Sequence, residues 1–400
     1  MDYVLYLMNT FIYGILNLDF WEYVAASLIM LQTSMMGVTL YLHRDQAHRA
    51  IDLHPFLRHF FRFWVWANSG QQTNEWVAVH RKHHALCERE GDPHSPKVFG
   101  LRKVLLEGAE LYQEEVRNKE TVARYSKGTP ADWMQRNIYW RYPNLGIVLL
   151  VVSCLILFGG PGIIILGLQL ISMPVFAAGV INGLGHYSGY RNFECDDQST
   201  NIMPIAFWVG GEELHNNHHA FPTSAKFSVR WWEFDIGWMY IVILRTLGLC
   251  HVRRVAPRPR RVSARQVDLQ TLQAVLINRM HVLHAYTSDV TLPEFKKVRL
   301  ADKGNELLAK ARKLLIRRPD WLDEAARTQL ARVLENNQTL KTVYELREKL
   351  IQIWEEANVS NERLVAELKE WCAEAESSGI RSLEEFSSRL RGYALQPVSV

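Results

Sequence analysis

An all-α integral membrane protein is predicted by the sequence, with four transmembrane helices in two hairpins, a cytosolic helical cap rich in histidine, and an extra helical region at the C-terminal end. Three observations predict it. From Tyr142 to Tyr190 there is no Asp, Glu, Lys or Arg in 49 consecutive residues. The segment from Arg44 to Arg141, by contrast, carries 16 Lys and Arg. Beyond Val262 the chain is densely charged with helical periodicity, as in LKTVYELREKLIQIWEEA. The averages, 48% hydrophobic residues and a mean hydropathy of −0.12, hide this division.

A hydrocarbon core about 30 Å thick needs roughly 20 apolar residues per helix. The uncharged block therefore predicts spans near 145–159 and 162–186, broken by GGPG at 159–162. Two further uncharged runs, Tyr3–Leu18 and Tyr23–Leu42, predict spans near 3–18 and 22–42. The first run has no basic flank and no small-residue cleavage site, so it reads as part of an uncleaved hairpin rather than a signal peptide. Neither connecting turn, 17–22 or 159–162, contains Lys or Arg, and the positive-inside rule then places Arg44–Arg141 and the C-terminal part in the cytoplasm. The expected organisation is a membrane domain with its cap over 1–250, a basic linker over 251–261 and a helical region over 262–400. The linker, HVRRVAPRPRR, has five arginines and predicts a strap on anionic headgroups, at about 1 kcal/mol per charge. The last region holds 21 Lys and Arg against 20 Asp and Glu, which argues against a nucleic-acid surface and leaves a helical appendage or docking module.

This topology gathers the histidines on one side of the membrane. HRDQAH runs from His43 to His48 directly after the second span, HRKHH from His80 to His84, and HNNHH from His215 to His219, while His186 ends the fourth span. With 15 His in 400 residues, an HxxHH pattern arises by chance roughly 0.02 times per chain, so two copies are not noise. On a helix, positions i, i+3 and i+4 fall within about 100° of arc, so each HxxHH is expected to present its imidazoles to a single point. His43 and His48 are at i, i+5, about 140° apart on an α-helix. Either the helix ends within that motif or the pair serves two centres.

Eight imidazoles in three boxes exceed what one ion uses. The five cysteines, Cys87, Cys154, Cys195, Cys250 and Cys372, form no CxxC pair and read as reduced structural thiols. Imidazole suits iron, although spacing alone does not choose among iron, zinc, copper and manganese. A two-metal site at a lipid boundary points to oxygen chemistry on something apolar. A metal transporter is the rival class, but transport sites place ionisable groups within the spans, and these spans are nearly free of them. Glu212 and Glu213 are candidates to accept bonds from the outer imidazole nitrogens, with Asp92 similar; solvated loop carboxylates are the alternative. His54, His59, His94, His251, His281 and His284 fall outside the boxes and read as ordinary.

HRDQAH, HRKHH and HNNHH, in this order after hydrophobic spans, resemble the three histidine boxes of the membrane-bound fatty acyl desaturases of the stearoyl-CoA (delta-9) type. Glu75 and Trp76 before the second box, GDPHSP at 91–96, GEELHNNHH and the Asn-x-x-x-His of Asn182–His186 extend the resemblance, which covers roughly residues 20–250. The resemblance implies a non-haem di-iron centre whose ligands are His43, His48, His80, His83, His84, His186, His215, His218 and His219, with Asn182 holding a water on one iron. It implies an O₂-dependent reaction that takes two electrons, removes two hydrogens from adjacent CH₂ groups of a long-chain acyl-CoA, and yields a cis double bond and two waters. The same chemistry on a phospholipid acyl chain, or hydroxylation by a related histidine-box enzyme, are the alternatives. Relatives that grip coenzyme A carry Arg-Asp just before the second box, where this chain has Ala78 and Val79. The acyl tunnel is expected along the second span, with its floor near Ser27 and Leu31. No haem-domain motif or CxxC pair accompanies the boxes, so electrons are expected from an external partner: a reductase, ferredoxin, rubredoxin or cytochrome b5-like protein. The expected location is a bacterial inner membrane, multi-pass, with the active site facing the cytoplasm.

Overall fold

A computed structural model of the chain describes residues 10–356 and 359–396. It divides into two compact units: one runs to Arg191 and resumes over Asp197–Ala256, and the other comprises Asn192–Asp196 and the chain from Pro257. Both are predominantly helical. Three two-stranded sheets, with strands of two or three residues, are the departure from an all-α class among the described residues.

In the first unit, Asp19 starts the first long helix with a capping box: its side chain accepts from the Glu22 amide at 2.9 Å, and the Glu22 carboxylate accepts from the Asp19 amide at 2.8 Å. The helix is α over Phe20–Met36 and continues unbroken as a π-helix over Gly37–Ala47. A second long apolar helix is built the same way, α over Pro161–Ser172 and π over Met173–Leu184. Ser34 links the two by donating to Gln169 at 2.9 Å, and it accepts from the Trp64 indole at 2.9 Å. Inside an apolar helix pair, such a satisfied polar contact fixes register.

Among the described residues, Phe20–Ala47 and Pro161–Leu184 are the two helices long and apolar enough to cross a membrane. The span expected at 145–159 is a helix, Leu145–Phe158, of 14 residues. At 1.5 Å per residue it reaches about 21 Å, short of a hydrocarbon core. The span expected at 3–18 lies outside the described residues over 3–9, and the chain already turns at 14–17.

The helices Leu101–Arg117 and Met173–Leu184 approach closely enough that a Cβ on Gly108 would sit 2.8 Å from the Ala178 carbonyl oxygen. A glycine there permits the contact. Strand Ile51–Leu53 pairs antiparallel with Cys250–Val252, and Arg253 forms an ion pair with Asp52. The stretch 251–261 thus starts in a strand of the first unit and ends in one of the second, where Arg260–Arg261 pairs with Tyr393–Ala394.

The second unit has its own core, in which Leu272, Val275, Tyr286, Leu346, Leu350, Trp371 and Phe386 are buried. Its polar handles are satisfied: the Tyr286 hydroxyl donates to the Val343 carbonyl and the Trp371 indole to that of Leu346, each at 2.7 Å. Each such side chain contributes about 1.5–3 kcal/mol by burial, so this region is a folded body rather than a tail.

Candidate metal centre

The first box lies at the end of the π segment. The His48 amide donates to the His43 carbonyl at 3.0 Å, an i to i+5 bond. Winding with five residues between bonded partners brings the two histidines onto one face, which an α-helix would not do. Of the two expected alternatives the first holds: the helix ends within the motif, at Ala47, and both rings join one cluster.

The other boxes divide. The donor atoms of His43, His48, His80, His84 and His218 lie within 4.8 Å of one another. So do those of His83, Cys87, His186 and His219, and Nε2 of His215 stands 2.9 Å from Nε2 of His186. His80 and His84 share a face of the helix Thr73–Leu86 at i, i+4, and His83 points to the other cluster. On the short helix His215–Ala220, His215 and His219 stay together and His218 crosses. The single point expected for each HxxHH box is therefore two points, with both of these boxes contributing to each cluster. All nine expected histidines take part.

His186 follows the end of its helix at Leu184, in a turn; the helix face that it was expected to share with Asn182 does not extend to it. Asn182 instead lines a cavity of about 220 Å³ with Trp76, His80, His94 and Tyr112. The far wall of this cavity is apolar, formed by Leu170, Met173, Pro174 and Ala177, and not by Ser27 or Leu31. The Ser27 hydroxyl donates to the Tyr23 carbonyl one turn back. His94, which read as ordinary, is buried, stacks on His83 with centroids 4.4 Å apart, and presents an Nε2 with no hydrogen-bond partner.

Carboxylates orient the rings from behind. Nδ1–H of His43 donates to Glu212 at 2.7 Å, of His83 to Asp92 at 3.0 Å, of His186 to Glu88 at 2.9 Å and of His219 to Asp197 at 2.8 Å. Glu212 and Asp92 thus do what the sequence suggested. Glu213 does not: it accepts from the backbone amides of Trp208 and Val209. Gly211, at φ 99, makes the turn before these acids, where a Cβ would meet the Asp235 carboxylate. Glu88 and Asp197 were missed. Glu88 holds a left-handed backbone at φ 60, a conformation a glutamate keeps only where its surroundings impose it. The frame behind the first box is Arg44, buried, paired with Asp235 at 3.1 Å and stacked over Phe227 at 3.8 Å.

The donor set fits a metal on an observation of its own. Nδ1–H donation to Asp92 and Glu88 leaves Nε2 of His83 and His186 as bare acceptors, yet these two atoms face each other at 3.2 Å. Facing lone pairs repel unless a cation lies between them. Metal–imidazole bonds of about 2.1 Å at right angles put two nitrogens about 3 Å apart. The other facing Nε2 pairs, His43–His218 at 3.1 Å, His48–His80 at 2.8 Å, His84–His218 at 2.9 Å and His186–His215 at 2.9 Å, repeat that spacing. Burial holds His48 down to about 3 and His219, against the pull of Asp197, down to about 4, which favours the neutral ligand form, while Asp92 raises His83 against its burial. Burial pushes Glu212 up to about 8, although Arg44 and Thr39 oppose it.

Comparison with known proteins places this geometry. A family model described as fatty acid desaturase matches residues 19–241. The sn-1 stearoyl-lipid 9-desaturase of Anabaena variabilis is 31% identical over 236 residues, 57% of this chain and 83% of that protein. The Delta-9 acyl-lipid desaturase 1 of Arabidopsis thaliana is 28% identical over 57% of this chain and 74% of its own length. The Acyl-CoA 5-desaturase AL21 of Anemone leveillei is 32% identical over 54% and 66% respectively. A second model, described as transposase, matches residues 271–396, within the second unit. The first match covers more than half of the chain and contains every histidine of the two clusters: the chain belongs to the fatty acid desaturase family, membrane-associated oxidoreductases.

Proposed function

We propose that the two clusters hold two iron ions and that the chain inserts a cis double bond, at the delta-9 position, into a long-chain saturated acyl group carried on coenzyme A. The observation that carries this is the set of facing, bare Nε2 atoms in two adjoining clusters within a desaturase-family chain. Iron supplies the oxidising chemistry, because an unactivated C–H bond offers no acidity for side chains to exploit. The chain's own groups do the rest. Nine histidines are the ligands, the four carboxylates fix their tautomers, and Asn182 and His94 face the cavity where the reacting carbons would lie beside His80. Leu170, Met173, Pro174 and Ala177 exclude water from the alkyl chain.

The same chemistry on a lipid-esterified chain is a second reading, favoured by relatives that are named acyl-lipid and stearoyl-lipid desaturases and by Ala78 and Val79 before the second box. Four spans, with a cytoplasmic active site in a bacterial inner membrane, are proposed from the four uncharged runs of the sequence, two of which are long apolar helices, and from the charge distribution. Residues 1–250 form the desaturase domain, 251–261 a basic connection and 262–400 a helical body for docking; electrons come from a separate redox protein.

Purified protein given reductant, O₂ and labelled stearoyl-CoA or labelled phospholipid, with products analysed by mass spectrometry and metals by elemental analysis, tests these readings. Two irons per chain and a mono-unsaturated product from the CoA ester are expected. Product from phospholipid alone would move the carrier to the second reading, and hydroxylated product or zinc as the metal of active enzyme would overturn the reaction.

A further inference from the structure

The helix Thr73–Leu86 sends one side chain away from its histidines. Arg81 follows His80 directly, about 100° further round the helix, so it leaves the face that His80 and His84 share. Its three nitrogens donate to four carbonyl oxygens: Nε to Ala47 at 3.0 Å, Nη2 to Gln46 at 2.9 Å, and Nη1 to Tyr125 at 3.0 Å and to Lys127 at 2.8 Å. All four acceptors are backbone, and among the described residues no carboxylate pairs with this guanidinium.

The acceptors share a position in the fold. Gln46 and Ala47 are the last two residues of the π segment Gly37–Ala47, Tyr125 is the last of the helix Lys119–Tyr125, and Lys127 lies two residues beyond it. Carbonyls at a helix C-terminus have no intrahelical donor and carry the negative end of its dipole. No further turn supplies donors to the π segment, because Ile51–Leu53 already pairs as a strand with Cys250–Val252. One planar cation therefore serves two helix ends, a task for which lysine, with all its donors on one nitrogen, is poorly shaped. The bonded carbonyls stand directly before His48, whose Nε2 lies 2.8 Å from Nε2 of His80. The second box thus reaches the first twice: through an imidazole and, one residue later, through the backbone that carries the partner ring.

We propose that Arg81 is a positioning residue for the first cluster. It closes the end of the π segment against the second-box helix and so holds His48 on the same ion as His43, His80, His84 and His218. Its part in metal binding rests on the reading of the clusters as metal sites; the closure of the segment does not.

Hydrogen exchange and chelator competition on the full-length wild type, Arg81→Ala and Arg81→Lys test it. In metal-free Arg81→Ala the amides of His48 and Ala50, which donate to the His43 and Arg44 carbonyls, should exchange at least tenfold faster than in the wild type, with those of the helix His215–Ala220 unchanged. After loading with cobalt(II), one ion should be held at least tenfold more weakly and the other as before, and added methylguanidinium, but not methylammonium, should restore the first. Arg81→Lys, which keeps the charge and most of the bulk, should fall between the two proteins. Equal exchange at His48 and Ala50 in the wild type and Arg81→Ala, Arg81→Lys indistinguishable from the wild type, or equal weakening of both ions overturns the proposal. Faster exchange in Arg81→Ala, in a protein whose wild type binds fewer than two ions, upholds the closure and overturns the metal reading beneath it.

Discussion

The two clusters share the second and third boxes but are held differently. In the second, His83, His186 and His219 each donate to a buried carboxylate; in the first, among the described residues, His43 alone does. Three carboxylates behind one cluster and one behind the other make the second the more negative cage, with more basic ligands. The first faces the cavity through His80. On the proposed reading the difference amounts to a division of labour: one ion would be anchored by three carboxylate-backed rings, and its neighbour would stand beside the cavity.

The strongest way to break this comparison is to remove the histidine that each box sends across. His83→Ala should empty the second cluster and His218→Ala the first, each losing about one iron per chain and reducing desaturation below detection. Elemental analysis with product analysis checks both, and loss of both irons from either variant would show that the clusters are not separable. Removing an orienting carboxylate sharpens it. Such partners typically count for about 10–100-fold in metal affinity. Asp197→Asn and Glu212→Gln should each weaken one ion by that range, read by competition with a chelator, and in the wild-type chain the first cluster should surrender its ion first. Identical release of both ions would erase the distinction.

Acid probes the metal-free cages. His48 and His219 titrate near 3 and 4 when folded, against about 6.5 when unfolded, so the unfolded chain binds more protons. Stability is therefore intact above about pH 6.5 and is lost as pH falls from there toward 4. Thermal unfolding of the stripped protein should drop by several degrees between pH 7.5 and 5, and bound metal should suppress the drop. A flat profile would mean that the rings are solvated. The smallest effect is expected at His281, in the second unit against Phe193: His281→Ala should cost about 1 kcal/mol or less and leave desaturation unchanged.

The histidine boxes were legible because metal ligands are few in kind and their spacing is local. The parting of ways inside each box was less so, although the offset of His83 from His80 and His84 contained it: i and i+4 align, and i+3 leans aside. The π winding was invisible, since apolar periodicity does not register one extra residue per turn. Glu88 and Asp197 lie outside any box, and only the folded chain brings them to His186 and His219. The helix Leu145–Phe158 was legible, since the uncharged run and the GGPG break set its bounds to within a residue of the expected 145–159.

The π segment Gly37–Ala47 has a consequence for how this sequence can change. A helix wound with a residue to spare is one insertion away from an ordinary one, so deleting Tyr41 or Leu42, upstream of the first box, would let it relax into the commoner α form. Composition and hydrophobicity would scarcely differ. His43 and His48 would then face directions about 140° or more apart, and the chain would keep its fold while losing its chemistry. Length, rather than residue identity, is the quantity this stretch must conserve.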